Sequence, residues 1–234
     1  MKKSLPGSLV PAYLAVLIGA LILMIGGNRA VTVLAESAPL KDRTCFIIDA
    51  GHGGEDGGAT SCTGVLESTI NLEIALRLND LLHLLGYDTY MIRTSDISIY
   101  TQGTTIAQKK VSDLKERVRI ANTTENAVLV SIHQNHYPDS RYSGAQVFYN
   151  ANDDSKDLAS TLQSRIISTL NPGSRRQCKK SSGIYLMDHI QCPGILIECG
   201  FLSHIEEEGR LRDPGYQKDL SCVIAVTLAE YANT

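Results

Sequence analysis

Four side chains in this sequence are of types that together perform hydrolysis: His52, Glu67, His133 and Glu198. Two imidazoles and one carboxylate form a zinc ligand set that leaves a fourth coordination position open. A second carboxylate beside such a set serves as general base and then general acid. Taken singly, each residue has a plainer explanation. A histidine at a strand end is more often structural than a ligand, and Glu198 in an apolar run could be half of a structural ion pair. Charged groups are almost never buried unpaired, because desolvating one is costly. The combination is what points to a site.

The elements that must position these residues can be read from the chain. His52 follows the apolar run 45–50, His133 follows 127–132 and Glu198 follows 194–197. Glu67 opens an amphipathic stretch. Continuous apolar runs read as buried parallel strands, and open α/β sheets build sites beyond the carboxyl ends of their strands. Helix 67–85 places Ile70, Ile74, Leu78, Leu81, Leu82 and Leu85 on one face, with Gly86 terminating it. A further strand is expected over 89–93, the strand before His133 spans 128–132, and an edge strand is expected over 145–149. Helices are expected over 112–123, 155–170, 204–211 and 216–231. The loop 175–189 is either a groove wall or a plain connecting strand. The glycine-rich stretch 51–58 lacks the Gly-Lys-Ser/Thr of a phosphate loop, and His83 reads as a surface residue. The alternation implies an α/β fold, a three-layer α/β sandwich around a mostly parallel central sheet.

DAGHGGEDGG (49–58), Glu67, SIHQN (131–135) and ECGFLS (198–203) resemble the zinc-dependent N-acetylmuramoyl-L-alanine amidases of the amidase-3 type. The matching order covers residues 44 to 232. The resemblance implies Zn2+ held by His52, Glu67 and His133, with Glu198 as the catalytic carboxylate. It also implies Arg93, Arg117 and Asn135 as substrate-binding residues. The family usually has a small residue and then Asn-Ala after the second histidine, whereas Gln134, Asn135 and His136 follow here. The long stretch 95–111 and the SGAQVFY segment (143–149) are similar to the germination-specific amidases of endospore formers. Those enzymes trim peptide stems in spore cortex so that muramic-δ-lactam can form. The implied reaction is cleavage of the amide between N-acetylmuramic acid and L-alanine, with Asp49, Glu55 or Asp56 orienting His52. The alternatives are a zinc exopeptidase and a catalytically inactive peptidoglycan-binding or scaffold protein.

Composition narrows the partners. A net charge of −3 over 234 residues, with no basic stripe, gives no nucleic-acid signature. Arg175-Arg176 and Lys179-Lys180 read as a solvated loop rather than a patch. Residues 1–40 read as a signal or membrane-anchor segment with a linker, and 41–234 as the catalytic domain. Lys2 and Lys3 precede an apolar run from Leu9 to Ile25, which places the catalytic domain outside the membrane, at the cell wall or forespore envelope. Val33-Leu34-Ala35 is a cleavage candidate, but Arg29 and its distance from the run favour an uncleaved anchor. The six cysteines lack the spacing of a disulfide framework. Cys45, Cys199 and Cys222 read as small buried apolar residues, Cys178–Cys192 is the favoured pair if any bridge exists, and Cys62 is a weak candidate ligand. No wall-binding repeat is present, so an exported activator protein is expected to act with peptidoglycan as substrate, and stretch 95–111 is a candidate contact for it or for the peptide stem.

Overall fold

The computed structural model describes residues 43–233. The chain alternates strands and helices: β1 (Cys45–Ala50), α1 (Glu67–Leu84), β2 (Asp88–Met91), α2 (Ile106–Thr123), β3 (Ala127–Asn135), β4 (Gln146–Tyr149), α3 (Asp153–Thr169), β5 (Lys179–Lys180), α4 (Tyr185–His189), β6 (Gly194–Phe201), α5 (Ile205–Leu211) and α6 (Pro214–Tyr231). The sheet order is β2-β1-β3-β6-β4-β5. All neighbours are parallel except β4 against β6.

Side chains alternate across the sheet. Phe46, Ile48, Val128, Val130, Ile195 and Ile197 belong to the larger core, with residues of α1, α3 and α6. Ile47, Leu129 and Leu196 belong to the second core, with Ile120 of α2 and Leu186 and Met187 of α4. The outcome is the expected three-layer sandwich. One compact unit begins at Thr44. The anchor or signal segment expected over 1–40 lies outside the described residues, and among those described no helix is long and apolar enough to cross a membrane.

Several expected boundaries move. Helix α2 begins at Ile106 rather than 112, because Thr105 and Gln108 form a reciprocal capping box. The structureless stretch is therefore shorter than 95–111. Strand β6 runs through Glu198 to Phe201, so Glu198 is a strand residue and not one that follows a strand. β4 is not an edge, since the two-residue β5 pairs outside it. The stretch 175–189 contains both β5 and α4. All six cysteines are free, so Cys178 and Cys192 are not paired. Cys199 is buried, but Cys45 and Cys222 are only partly so.

Candidate active site

The parallel register brings His133 of β3 beside Glu198 of β6. Parallel strands lie about 4.8 Å apart, so the two side chains leave neighbouring positions on one face. Gly51 follows the last β1 pair, Ala50 with Ile132, and its N–H donates to the Ile132 carbonyl at 3.0 Å. A Cβ at Gly51 would lie 2.2 Å from His133 Nε2. Glycine there is what lets the imidazole stand against the loop. His52 comes next and adopts a left-handed backbone, with φ of 62°. That turn aims its ring toward His133, with centroids 5.0 Å apart.

Glu67 enters from the first residue of α1. Its Oε2 lies 3.3 Å from His52 Nε2 and its Oε1 lies 3.0 Å from His133 Nδ1. The carboxylate also accepts from the Ala59 N–H at 2.9 Å and the Gln134 N–H at 3.1 Å. Burial alone would raise its pKa, but hydrogen bonds and charge from His133 and His52 hold it well below the usual carboxylate range. His52, Glu67 and His133 each offer one ligand atom, and these atoms lie within 4.8 Å of one another. At Gly58, φ is +70° and a Cβ would meet Glu67 Oε2 at 2.6 Å. The space beside the cluster depends on that glycine.

Of the three acidic candidates for orienting His52, Asp56 does so. Its Oδ2 lies 2.9 Å from Nδ1, which leaves Nε2 facing Glu67. Burial acts to lower the His52 pKa, but hydrogen bonds and charge from Asp56 and Glu67 outweigh it and push it up to about 9. Lys110 Nζ reaches Asp56 Oδ2 at 3.1 Å and Lys109 Nζ reaches Glu55 Oε1 at 2.7 Å. The first turns of α2 are thereby clipped to the loop that carries His52.

Glu198 differs from Glu67 in its partners and its charge. Its Oε2 is buried and has no hydrogen-bond partner among the described residues. Burial, the dominant effect, pushes its pKa up to about 7. It lines a cavity of about 240 Å³ with His52, His133, Arg117, Tyr185 and Leu186. The α4 portion of 175–189 thus forms a cavity wall.

Arg93 and Arg117, the arginines expected to touch substrate, are both buried beside the His52 loop, and Arg117 also borders the cavity next to Glu198. Each is 2% exposed. Arg93 donates to the carbonyls of Ala50 (2.8 Å), Gly51 (3.0 Å), Ser68 (2.8 Å) and Ser95 (3.0 Å). Arg117 pairs with Asp49 and with Asp113 at 2.5 Å, and it donates to the carbonyls of Ala50 (3.1 Å) and His52 (2.9 Å). Both guanidiniums brace the loop that carries His52. Asn135 closes β3, half-buried, and its carbonyl accepts from the Leu202 N–H at 2.8 Å. His136 is exposed, Cys62 is exposed and outside the ligand cluster, and His83 is exposed and bonded to Thr89 at 2.6 Å.

Sequence reading missed Asn71. Its Nδ2 donates to Glu67 Oε1 at 3.3 Å and to the Gly51 carbonyl at 3.2 Å, and its Oδ1 accepts from Gln134 Nε2 at 3.1 Å. It is fully buried on the apolar face of α1. A polar residue in that stripe, four after Glu67, was the available signal.

The chain is similar to known proteins over nearly all of the described region. It is 36% identical to the germination-specific N-acetylmuramoyl-L-alanine amidase of Bacillus subtilis, covering 83% of this chain and 82% of that one. The solved CwlD amidase from Clostridioides difficile, in complex with the GerS lipoprotein, superposes with a TM-score of 0.78 at 35% identity, covering 82% of this chain and 99% of that one. An N-acetylmuramoyl-L-alanine amidase from Clostridium difficile 630 gives 0.71 at 32% identity, covering 82% and 98%. The family described as N-acetylmuramoyl-L-alanine amidase matches residues 46–230, and the chain therefore belongs to the Amidase_3 family of hydrolases.

Proposed function

We propose that this protein is a zinc-dependent peptidoglycan amidase that cuts between N-acetylmuramic acid and L-alanine. The observation that carries the reading is the contrast between two glutamates one imidazole apart. Glu67 is saturated with donors and anionic. Glu198 has a shielded, unpartnered oxygen beside the same histidine. The donor set suits zinc: His52, Glu67 and His133 each offer one ligand atom within 4.8 Å of the others, and two imidazoles with one carboxylate form a zinc set that leaves a fourth position open.

A bound zinc ion supplies Lewis acidity toward a carbonyl and toward water. The rest falls to the protein. Glu198 accepts the proton of the attacking water and passes it to the departing L-alanine nitrogen. A carboxyl group raised to about 7 is matched to both transfers near neutrality. Asp56 fixes the His52 ring and Arg117 fixes the loop beneath it. Asn135, beside the cluster at the end of β3, is the residue we assign to substrate contact.

Similarity to the germination-specific amidase supports spore cortex as the substrate and muramic-δ-lactam formation as the purpose. Action at the wall or forespore envelope, with residues 1–40 as anchor or export signal, belongs to the same reading. The neighbour solved with a lipoprotein supports an exported partner. Exposed Ile97, Ile106 and Val111 supply an apolar surface for it beside the clipped turns of α2. Digestion of purified, denuded peptidoglycan with and without a chelator tests the activity. The expected products carry new L-alanine amino termini and no new reducing ends, and chelation stops their release. Released terminal amino acids would identify an exopeptidase instead.

A further inference from the structure

A second cavity lies at the same sheet edge as the site. Gln146 of β4 is the register partner of Glu198 on β6. It stands one strand beyond the carboxylate, in the row that also holds His133. From Gln146 outward opens a groove of about 860 Å³ lined by Arg175, Arg176, Lys179 and Arg210. One carboxylate faces them, Glu207, and it is consumed: it accepts from the backbone N–H of Gly144 at 2.9 Å and of Phe201 at 2.8 Å and pairs with Arg210 at 3.7 Å, which leaves Arg175, Arg176 and Lys179 as the excess charge. Arg176 is preorganised. Its Nε donates to the Ser143 carbonyl at 2.9 Å, its NH1 reaches Gln146 Oε1 at 3.3 Å, and its guanidinium lies 4.7 Å from the Phe201 ring centroid. Among the described residues Arg175 and Lys179 have no carboxylate partner within ion-pair distance, and both are exposed. The molecule as a whole is acidic, at −3, so this local excess of positive charge is not a reflection of composition.

We propose that this groove is a subsite for an acidic peptide, namely the peptide stem of the substrate, read through its free carboxylates. The proposal rests on the amidase reading and deepens it. Charge decides which half of the substrate belongs here. Muramic acid whose lactyl group is tied up as an amide is uncharged, and so is the glycan strand. The stem carries the free carboxylates, and fixed guanidiniums bind carboxylates well. Gln146, which lines the groove, sits one strand spacing, about 4.8 Å, from the strand position of Glu198, the carboxylate assigned to protonate the departing nitrogen.

The test is equilibrium binding of a synthetic stem peptide, beginning with L-alanine and bearing free carboxylates, to the full chain. Three comparisons accompany it: the same peptide with its carboxylates amidated, the double variant Arg175→Glu/Lys179→Glu, and competition by inorganic phosphate. The expected result is binding weakened about tenfold by amidation and about tenfold by the charge reversal, with unchanged Tm and little competition from phosphate at equal concentration. Equal affinity for the amidated peptide, or for the double variant, overturns the proposal. So does no binding of the free-acid peptide, and phosphate displacement at equal concentration reduces the groove to a general anion site. The free peptide binds without turnover, so the two readings fail separately. A protein that binds it yet cuts no peptidoglycan refutes the amidase reading alone.

Discussion

The loop that carries His52 and the basic groove occupy one edge of one sheet, yet they are built on opposite plans. Around His52 every donor and acceptor that fixes the backbone is spent internally. Arg93 and Arg117 together hold the carbonyls of Ala50, Gly51 and His52, and Asp49, Asp113 and Asp56 complete the charges. In the groove, Arg175 and Lys179 stand in solvent. Chemistry that needs atoms placed to a fraction of an ångström is mounted on a buried, cross-braced frame. The groove combines one held cation, Arg176, with exposed Arg175 and Lys179 that can adapt, a plan that suits the flexible charged chain proposed for it. The same residue type, arginine, therefore does two kinds of work a few strands apart.

The largest effect should come from the carboxylate that the frame leaves unpartnered. Glu198→Gln is expected to keep zinc and fold while kcat falls by about a hundredfold to ten-thousandfold; near-normal turnover would remove Glu198 from the mechanism. Next comes the frame itself. Arg117→Met strands Asp49 beneath the site, and breaking a buried pair costs about 3–5 kcal/mol. Denaturant unfolding should register it, and a loss under 1 kcal/mol would show that the brace is not electrostatic. Smaller again is Asp56→Asn, which loosens the orientation of His52. Zinc affinity should drop by roughly tenfold to a hundredfold, measured by competition with a chelating dye.

Protonation gives a fourth handle. The His52 pKa is raised from 6.5 to about 9 in the metal-free protein. Its contribution to stability is therefore complete below pH 6.5 and is lost as pH rises through about 9. A zinc ligand must be neutral, so zinc binding near pH 7.5 should expel the His52 proton. Calorimetry in buffers of different ionisation enthalpy should detect the release of about one proton; a buffer-independent heat would mean that His52 is already neutral. The smallest effect belongs to the groove: Arg175→Ala should change folding stability by less than about 0.5 kcal/mol, in contrast to Arg117.

The gathering of His52, Glu67 and His133 was legible because each member sits where a periodic pattern starts or stops, so topology alone brings them to one edge. The three layers were legible for the same reason. What escaped was polarity inside the fold. An arginine in a helix reads as surface, and nothing local reveals that Arg117 meets Asp49 across 68 positions. The Asp113–Arg117 spacing hinted at a pair but not at its burial. Glu198 was placed after a strand because charge normally ends one; tertiary neighbours extended β6 through it. The early start of α2 was the avoidable miss, since Thr105 and Gln108 spell out its cap.

The backbone at His52 has its own consequence. With φ at 62°, that position suits glycine, as at Gly53 and Gly54 which follow it, and a side chain there costs on the order of 1 kcal/mol or more. The backbone cost and the contacts with Asp56 and Glu67 oppose each other at this single residue. As pH rises and the charge on His52 is lost, the contacts weaken and the backbone cost favours glycine, while selection for turnover holds the position at histidine. A lineage that lost the need to cut would be expected to lose this histidine early, so a glycine aligned with His52 in a relative would mark a fold kept for something other than catalysis.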